Sequence, residues 1–209
     1  MFFVGFHPDY DRSESSWLSS LGSMKSASCR YFPAYCERCH ENHAVIAMTA
    51  RAFVKQDPFV VWGTGKQIRN WTYVGDIVEG TIRAAEVIED GTAVNLGTME
   101  RVRVSDAASE VLRYTGHKVK IELHPELPTG PLNRVADNEL AKKLLSWEPK
   151  VRFVDGLHRL IEYMVLFAKG SGFVRQEKVA SFPSTNMAGP RLARRFLTVE
   201  TKNGALSVM

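Results

Sequence analysis

Residues 60–86 read VVWGTGKQIRNWTYVGDIVEGTIRAAE, and the order of elements in this stretch decides the fold. With Phe59 in front, FVVWG is short, apolar and closed by glycine, as a buried strand is. Gly63 and Gly65 then begin like a dinucleotide-binding fingerprint. The third glycine would fall at Ile68, where none stands, and IRNWTYV reads as extended chain where that fingerprint opens a helix. The two glycines therefore predict a tight turn. Asp76 and Glu79 have capping-box spacing, which predicts a helix start. Along that helix Ile77, Val78, Ile82, Ala85 and Ile88 read as one inward face.

The neighbouring segments alternate in the same way. AVIAMTARAFVK, residues 44–55, reads as a helix. TAVNLG is a nearly continuous apolar strand, expected to be buried on both faces. Ser105 is expected to cap a helix through Val111 and Leu112 that stops at Gly116. In KVKIELH, strict alternation turns Val119, Ile121 and Leu123 inward and Lys118, Lys120 and Glu122 outward. Asp137 is expected to cap a helix carrying Leu140, Leu144 and Leu145 and stopped before Pro149. Asp155 is expected to cap a last helix with Leu157, Leu160, Ile161, Met164 and Val165 on one stripe. Strands alternating with helices give an α/β class.

At 209 residues, 44% hydrophobic and 24% charged, the chain has the composition of one soluble globular domain or slightly more. Its net charge of +4 owes much to Arg191, Arg194, Arg195 and Lys202 near the C-terminus. A surplus that small fits an anionic small ligand as well as nucleic acid, so it identifies neither. The opening MFFVGFHPDYDRSESS lacks the pattern of a signal peptide, and YMVLFA is far too short to span a membrane. Three cysteines give no disulfide framework. A cytoplasmic protein is expected, with no nucleic-acid or membrane partner. Residues 1–27 and 169–209 are expected to be irregular flanks, the second one basic, around a working region at 28–168.

Two motifs invite other chemistry. Tyr114 and Lys118 in YTGHK have the spacing of a catalytic Tyr-x-x-x-Lys pair, but Gly116 interrupts them, so they do not share a helix face. In YCERCHENH, Cys36, Cys39, His40 and His43 offer haem- or zinc-like ligands. Haem attachment usually needs export, and a structural zinc site places its second ligand pair beyond a loop rather than in the same turn. No metal site is expected.

With its flanks the latter stretch becomes CRYFPAYCERCHENHAVIAMTARAF. It resembles the extended short-chain dehydrogenases/reductases, the NAD-dependent nucleotide-sugar epimerases and dehydratases. The resemblance continues through residues 60–86, AVNLGT, LPTGPLNRVADNELAKKLLSWEPKV and DGLHRLIEYM, covering about 28–166 in the family's order and spacing. The run GPLNRVADN is most similar to GDP-mannose 3,5-epimerase relatives. What the resemblance implies is a partial Rossmann-like fold lacking its N-terminal half, with a small α/β substrate domain, a nucleotide-diphosphate sugar as ligand and NAD as cofactor.

By the same resemblance Arg69 matches a phosphate-contacting arginine, since a planar guanidinium can fork two phosphate oxygens. Arg134 stands as a second, Gln67 approaches the nucleotide, Asn95 holds a strand end or touches ligand, and Tyr31 lies beside the cofactor. Trp62 or Trp71 could stack a base or simply fill core. Cys36 stands where the family usually has glycine, and Pro33 where it commonly has an asparagine that touches substrate. The family's NAD-binding glycine turn and its Tyr-x-x-x-Lys pair upstream of RYF are absent from this sequence. No catalytic residue is therefore assigned. The expectation is a chain inactive alone, its catalytic half missing or supplied by a separate chain; the alternative is a non-catalytic module that binds a nucleotide sugar or a protein.

Overall fold

The computed structural model describes residues 25–39, 43–170, 198–201 and 204–207. In chain order these form β1 (Ser26–Tyr31), β2 (Ala34–Tyr35), α1 (Ala44–Phe53), β3 (Phe59–Trp62), β4 (Ile68–Arg69), β5 (Thr72–Tyr73), α2 (Val74–Val87) and β6 (Asp90–Leu96). They continue with β7 (Val102–Arg103), α3 (Val104–Thr115), β8 (Ile121–His124), β9 (Asn133–Arg134), α4 (Glu139–Leu145), α5 (Phe153–Gly170), β10 (Thr198–Thr201) and β11 (Gly204–Ser207). The mixed α/β class read from the alternation is the class observed, with parallel pairs β1–β6, β2–β5 and β3–β8.

Two cores organise the described residues. In the first, Ala27 and Cys29 of β1 and Val94 and Leu96 of β6 meet Ile77, Ala84 and Ile88 from the α2 side, with Ala141, Leu145 and Trp147 closing over them. Gly80 lets α2 sit this low: a Cβ there would lie 2.8 Å from the Trp147 ring and 2.9 Å from Leu96. The Trp147 indole N–H donates to the Asp76 carbonyl at 3.0 Å, so the buried ring keeps its polar atom satisfied. In the second core Phe59 and Val61 of β3 are covered by α1, α3 and α5 through Val45, Met48, Val111, Leu157 and Leu160. Tyr35 joins this core, donating its hydroxyl to the Phe153 carbonyl at 3.0 Å.

Several sequence expectations are corrected. Asp76 is not a cap: α2 starts at Val74, its N-cap is Tyr73, and the buried Asp76 carboxylate accepts the Val151 N–H at 3.0 Å. Val78 and Ile82, expected inward, are 51% and 54% exposed, while Ile77 and Ile88 are buried as expected; Gly80 and Ala84 complete the buried face. Leu123, Leu140 and Leu144 also point outward. Ser105 lies inside α3, behind the N-cap Arg103, and its N–H donates to the Gly65 carbonyl. Asn138, not Asp137, is the N-cap of α4, although the Asp137 carboxylate accepts the Glu139 N–H. Asp155 likewise falls within the first turn of α5. At the boundaries, β1 begins inside the stretch taken as the first flank, and α5 runs to Gly170. Within the basic tail β10 and β11 pair antiparallel, while residues 1–24 and 171–197 lie outside the described residues.

Candidate functional site

The three-stranded sheet β7–β4–β9 gathers the expected phosphate-binding residues. Strand β4 pairs parallel with β9, placing Arg69 opposite Arg134, and antiparallel with β7, placing Arg69 opposite Val102. Paired residues project from the same side of a sheet, so the two guanidinium groups share a face. Neither makes an ion pair among the described residues. Burial, and then the neighbouring Arg134 charge, push the Arg69 guanidinium below its ordinary pKa.

Arg69 also shapes the loop ahead of β9. Its Nη1 donates to the carbonyls of Ile68 and Pro131, and its Nη2 to that of Thr129, each at 2.8 Å. A guanidinium has five N–H donors, so Nε–H and one Nη2–H remain for a ligand. On the far side of β9, the Asn95 side chain donates to the Asp137 carbonyl at 2.8 Å, and Asn138 donates to the Gly97 carbonyl at 3.1 Å. Arg134 is thus presented on a strand clamped at both ends, while its own side chain is exposed. Asn95 acts here as a strap on the backbone. It also lines a surface cavity of about 510 Å³ with Asp137, Glu139, Leu140 and Lys143, which does not include the arginines.

Gln67, which precedes β4 in the chain, is buried. Its amide N–H donates to the Trp62 carbonyl at 3.2 Å, while its Oε1 has no hydrogen-bond partner. Gly63 and Gly65 adopt φ of 79° and 71°, the left-handed region that the tight-turn reading requires. A Cβ at Gly63 would collide with the Gln67 amide, so the turn wraps a side chain and not a phosphate. Trp71 is core, its ring centroid 5.2 Å from that of Phe153, whereas Trp62 is partly exposed at 38%. Tyr31 stands at the carboxyl end of β1, its hydroxyl 3.2 Å from Thr81 Oγ1, and burial raises its pKa.

Sequence reading missed Asn70 and Gly97. Asn70 is fully buried, donates to the Thr98 carbonyl at 2.9 Å, and leaves its Oδ1 unpartnered. Its signal was an amide inside an otherwise strand-like run next to Arg69. Gly97 is the point where β6, Phe32, Asn70 and Ala136 meet; a Cβ there would lie 2.8 Å from the Phe32 Cβ and 2.9 Å from the Ala136 Cβ.

The other two motifs are also placed. Tyr114 donates its hydroxyl to Glu162 at 2.7 Å, which raises its pKa, and Gly116 ends α3 in the left-handed region before Lys118. Cys36 and Cys39 are free thiols with their sulfurs 2.7 Å apart, and His43 is the N-cap of α1. His40 lies outside the described residues, and among those described no group of three or more potential ligands could hold a metal ion. Among the described residues no helix is long and apolar enough to cross a membrane.

Comparison with known proteins gives the family and the fold. The family model described as GDP-mannose 4,6 dehydratase matches residues 19–160. UDP-glucuronic acid decarboxylase 4 of Arabidopsis thaliana is 33% identical over 134 residues, covering 64% of this chain and 30% of the relative. GDP-mannose 3,5-epimerase of the same plant is 34% identical over 114 residues, covering 54% of this chain and 30% of the relative. Among solved structures, UDP-glucuronic acid 4-epimerase from Bacillus cereus, in complex with UDP-glucuronic acid and NAD, superposes with a TM-score of 0.62 at 26% identity. The superposition covers 68% of this chain and 46% of that one. An epimerase from Methanothermobacter thermautotrophicus shares the fold with a TM-score of 0.68 at 21% identity, covering 76% and 48%. The chain therefore spans 30% of the length of these plant relatives and less than half of either solved structure.

Proposed function

Because the chain belongs to the GDP-mannose 4,6-dehydratase family, we propose that its β4–β9 face binds the diphosphate of a nucleotide sugar. The observation that carries this reading is the pairing of Arg69 with Arg134 on one sheet face, with no ion-paired carboxylate among the described residues. Two like charges held side by side repel each other in the free protein, and an anion between them relieves that repulsion. Arg69 offers its two remaining donors, and Arg134 offers an unobstructed guanidinium. Gln67 and Asn70 position the strand, and Asn95 holds the backbone that follows Arg134.

The cofactor that this reading implies is NAD, which would supply hydride transfer when bound. The glycine turn at 63–65 does not fit its pyrophosphate, since the Gln67 amide fills the space and a strand, not a helix, follows. Tyr31, at the carboxyl end of a parallel strand, is the one proposed cofactor contact. No hydride or proton-transfer step is assigned to these residues. Substrate binding without turnover is the activity proposed for this polypeptide by itself, and a separate chain would supply the chemistry.

Calorimetry with UDP-glucuronic acid and GDP-mannose tests the reading, with glucuronic acid and mannose as controls. Saturable binding of a nucleotide sugar and none of the free sugar is expected. Absence of heat with every diphosphate ligand would overturn it. NAD-dependent turnover by the purified chain would overturn the binding-only part alone.

A further inference from the structure

The pair Cys36 and Cys39 is used by nothing in the proposed ligand face. Their sulfurs are 2.7 Å apart, in direct contact. The Cys39 N–H donates to the Cys36 carbonyl at 3.4 Å, closing a turn through Glu37 and Arg38. A turn of that kind brings the two Cα atoms into the range a disulfide spans. The turn is also anchored: Glu37 accepts the Tyr73 hydroxyl at 2.6 Å, tying it to β5. Cys36 and Cys39 are both half-buried, Cys39 packing against the second core, whereas Cys29 is only 2% exposed.

We propose that Cys36 and Cys39 form a vicinal dithiol site that a small disulfide, such as oxidised glutathione, converts into an intrachain disulfide. The Cys36 thiolate attacks one sulfur of the small disulfide, breaking its S–S bond and releasing one thiol. The adjoining Cys39 sulfur then attacks Cys36 in the mixed disulfide and releases the second thiol. The two protons of the cysteines end on the two released thiols, and two electrons pass to the small disulfide. Burial, and then the hydrogen bond with Cys36, push Cys39 up to about 12; the same two steps with the cysteines exchanged give the same disulfide. Contact between the sulfurs offsets the low thiolate fraction of Cys39, because its attack is intramolecular.

The test uses the full chain, reduced and freed of metal by a chelator, then equilibrated with reduced and oxidised glutathione. Acid quenching, alkylation and peptide mass mapping follow. The expected product has lost two hydrogens from the peptide bearing Cys36 and Cys39, carries no glutathione, and leaves Cys29 reduced. In Cys39→Ser the glutathione adduct should instead persist on Cys36, because no resolving thiol is present. Wild-type protein that keeps both thiols alkylatable, or retains a stable glutathione adduct, would overturn the proposal. So would a pair that resists oxidation by holding stoichiometric zinc through the chelator step.

Discussion

Replacing Arg69 by alanine removes three hydrogen bonds to the carbonyls of Ile68, Thr129 and Pro131. A net hydrogen bond contributes ~0.5–1.5 kcal/mol, so an upper bound for the three is ~1.5–4.5 kcal/mol. Two effects reduce it. The carbonyls border an exposed loop, where water replaces the lost donors. The variant also relieves repulsion with Arg134, which, after burial, lowers the Arg69 pKa in the wild type. The expected loss is therefore ~1–2 kcal/mol, or ~0.5–1 M in urea midpoint for an m-value of ~2 kcal/mol/M. Urea unfolding reads the stability, and hydrogen exchange at the Ile68 amide, which donates to the Leu132 carbonyl, reads whether β9 still docks. Arg69→Lys keeps the charge but cannot span three carbonyls, so it should lose most of the same stability while retaining part of any diphosphate binding. An alanine variant with wild-type midpoint and wild-type exchange at Ile68 would refute the claim that this side chain orders the 129–131 loop.

Other outcomes follow from the same geometry. Gly97→Ala should cost ~1–3 kcal/mol by urea unfolding, because its Cβ would press on those of Phe32 and Ala136 at 2.8 and 2.9 Å. Asp76→Ala should cost ~1–3 kcal/mol in the same assay, since the Val151 N–H loses its buried acceptor. Glu110 is held at about 2, first by its hydrogen bond from Arg113 and then by that from His158. A depressed carboxyl stabilises the fold above its unfolded pKa, and that contribution is lost as pH falls from ~4.5 toward 2. Unfolding midpoints at pH 7 and pH 3 should thus differ less for Glu110→Gln than for wild type. Purified chain assayed with NAD and UDP-glucuronic acid should show no epimerisation, because it presents no helical Tyr-x-x-x-Lys pair.

The α/β class and the strand–turn–strand order of residues 59–73 were legible because the glycines and the extended run leave few alternatives. Helix α2 shows where periodicity failed. Apolar residues lie on both of its sides: of the expected stripe Ile77 and Ile88 are buried, but Val78 and Ile82 are outward. What decided the face was Trp147, distant in sequence, whose ring needs the bare backbone of Gly80. Asp76 was read as a cap for the same reason: its real partner, the Val151 N–H, lies 75 residues away. The arginines could be named from sequence, but their pairing could not. It rests on the register of two-residue strands β4 and β9, too short to carry any periodic signal.

Arg134 gives the cleanest measurement, since its side chain is exposed and makes no hydrogen bond or ion pair among the described residues. Arg134→Ala should leave the urea midpoint unchanged and weaken nucleotide-sugar binding by ~1.5–3 kcal/mol, roughly tenfold to over a hundredfold in Kd by calorimetry. Unchanged affinity in a variant of unchanged stability would contradict the assignment of this sheet face to a diphosphate.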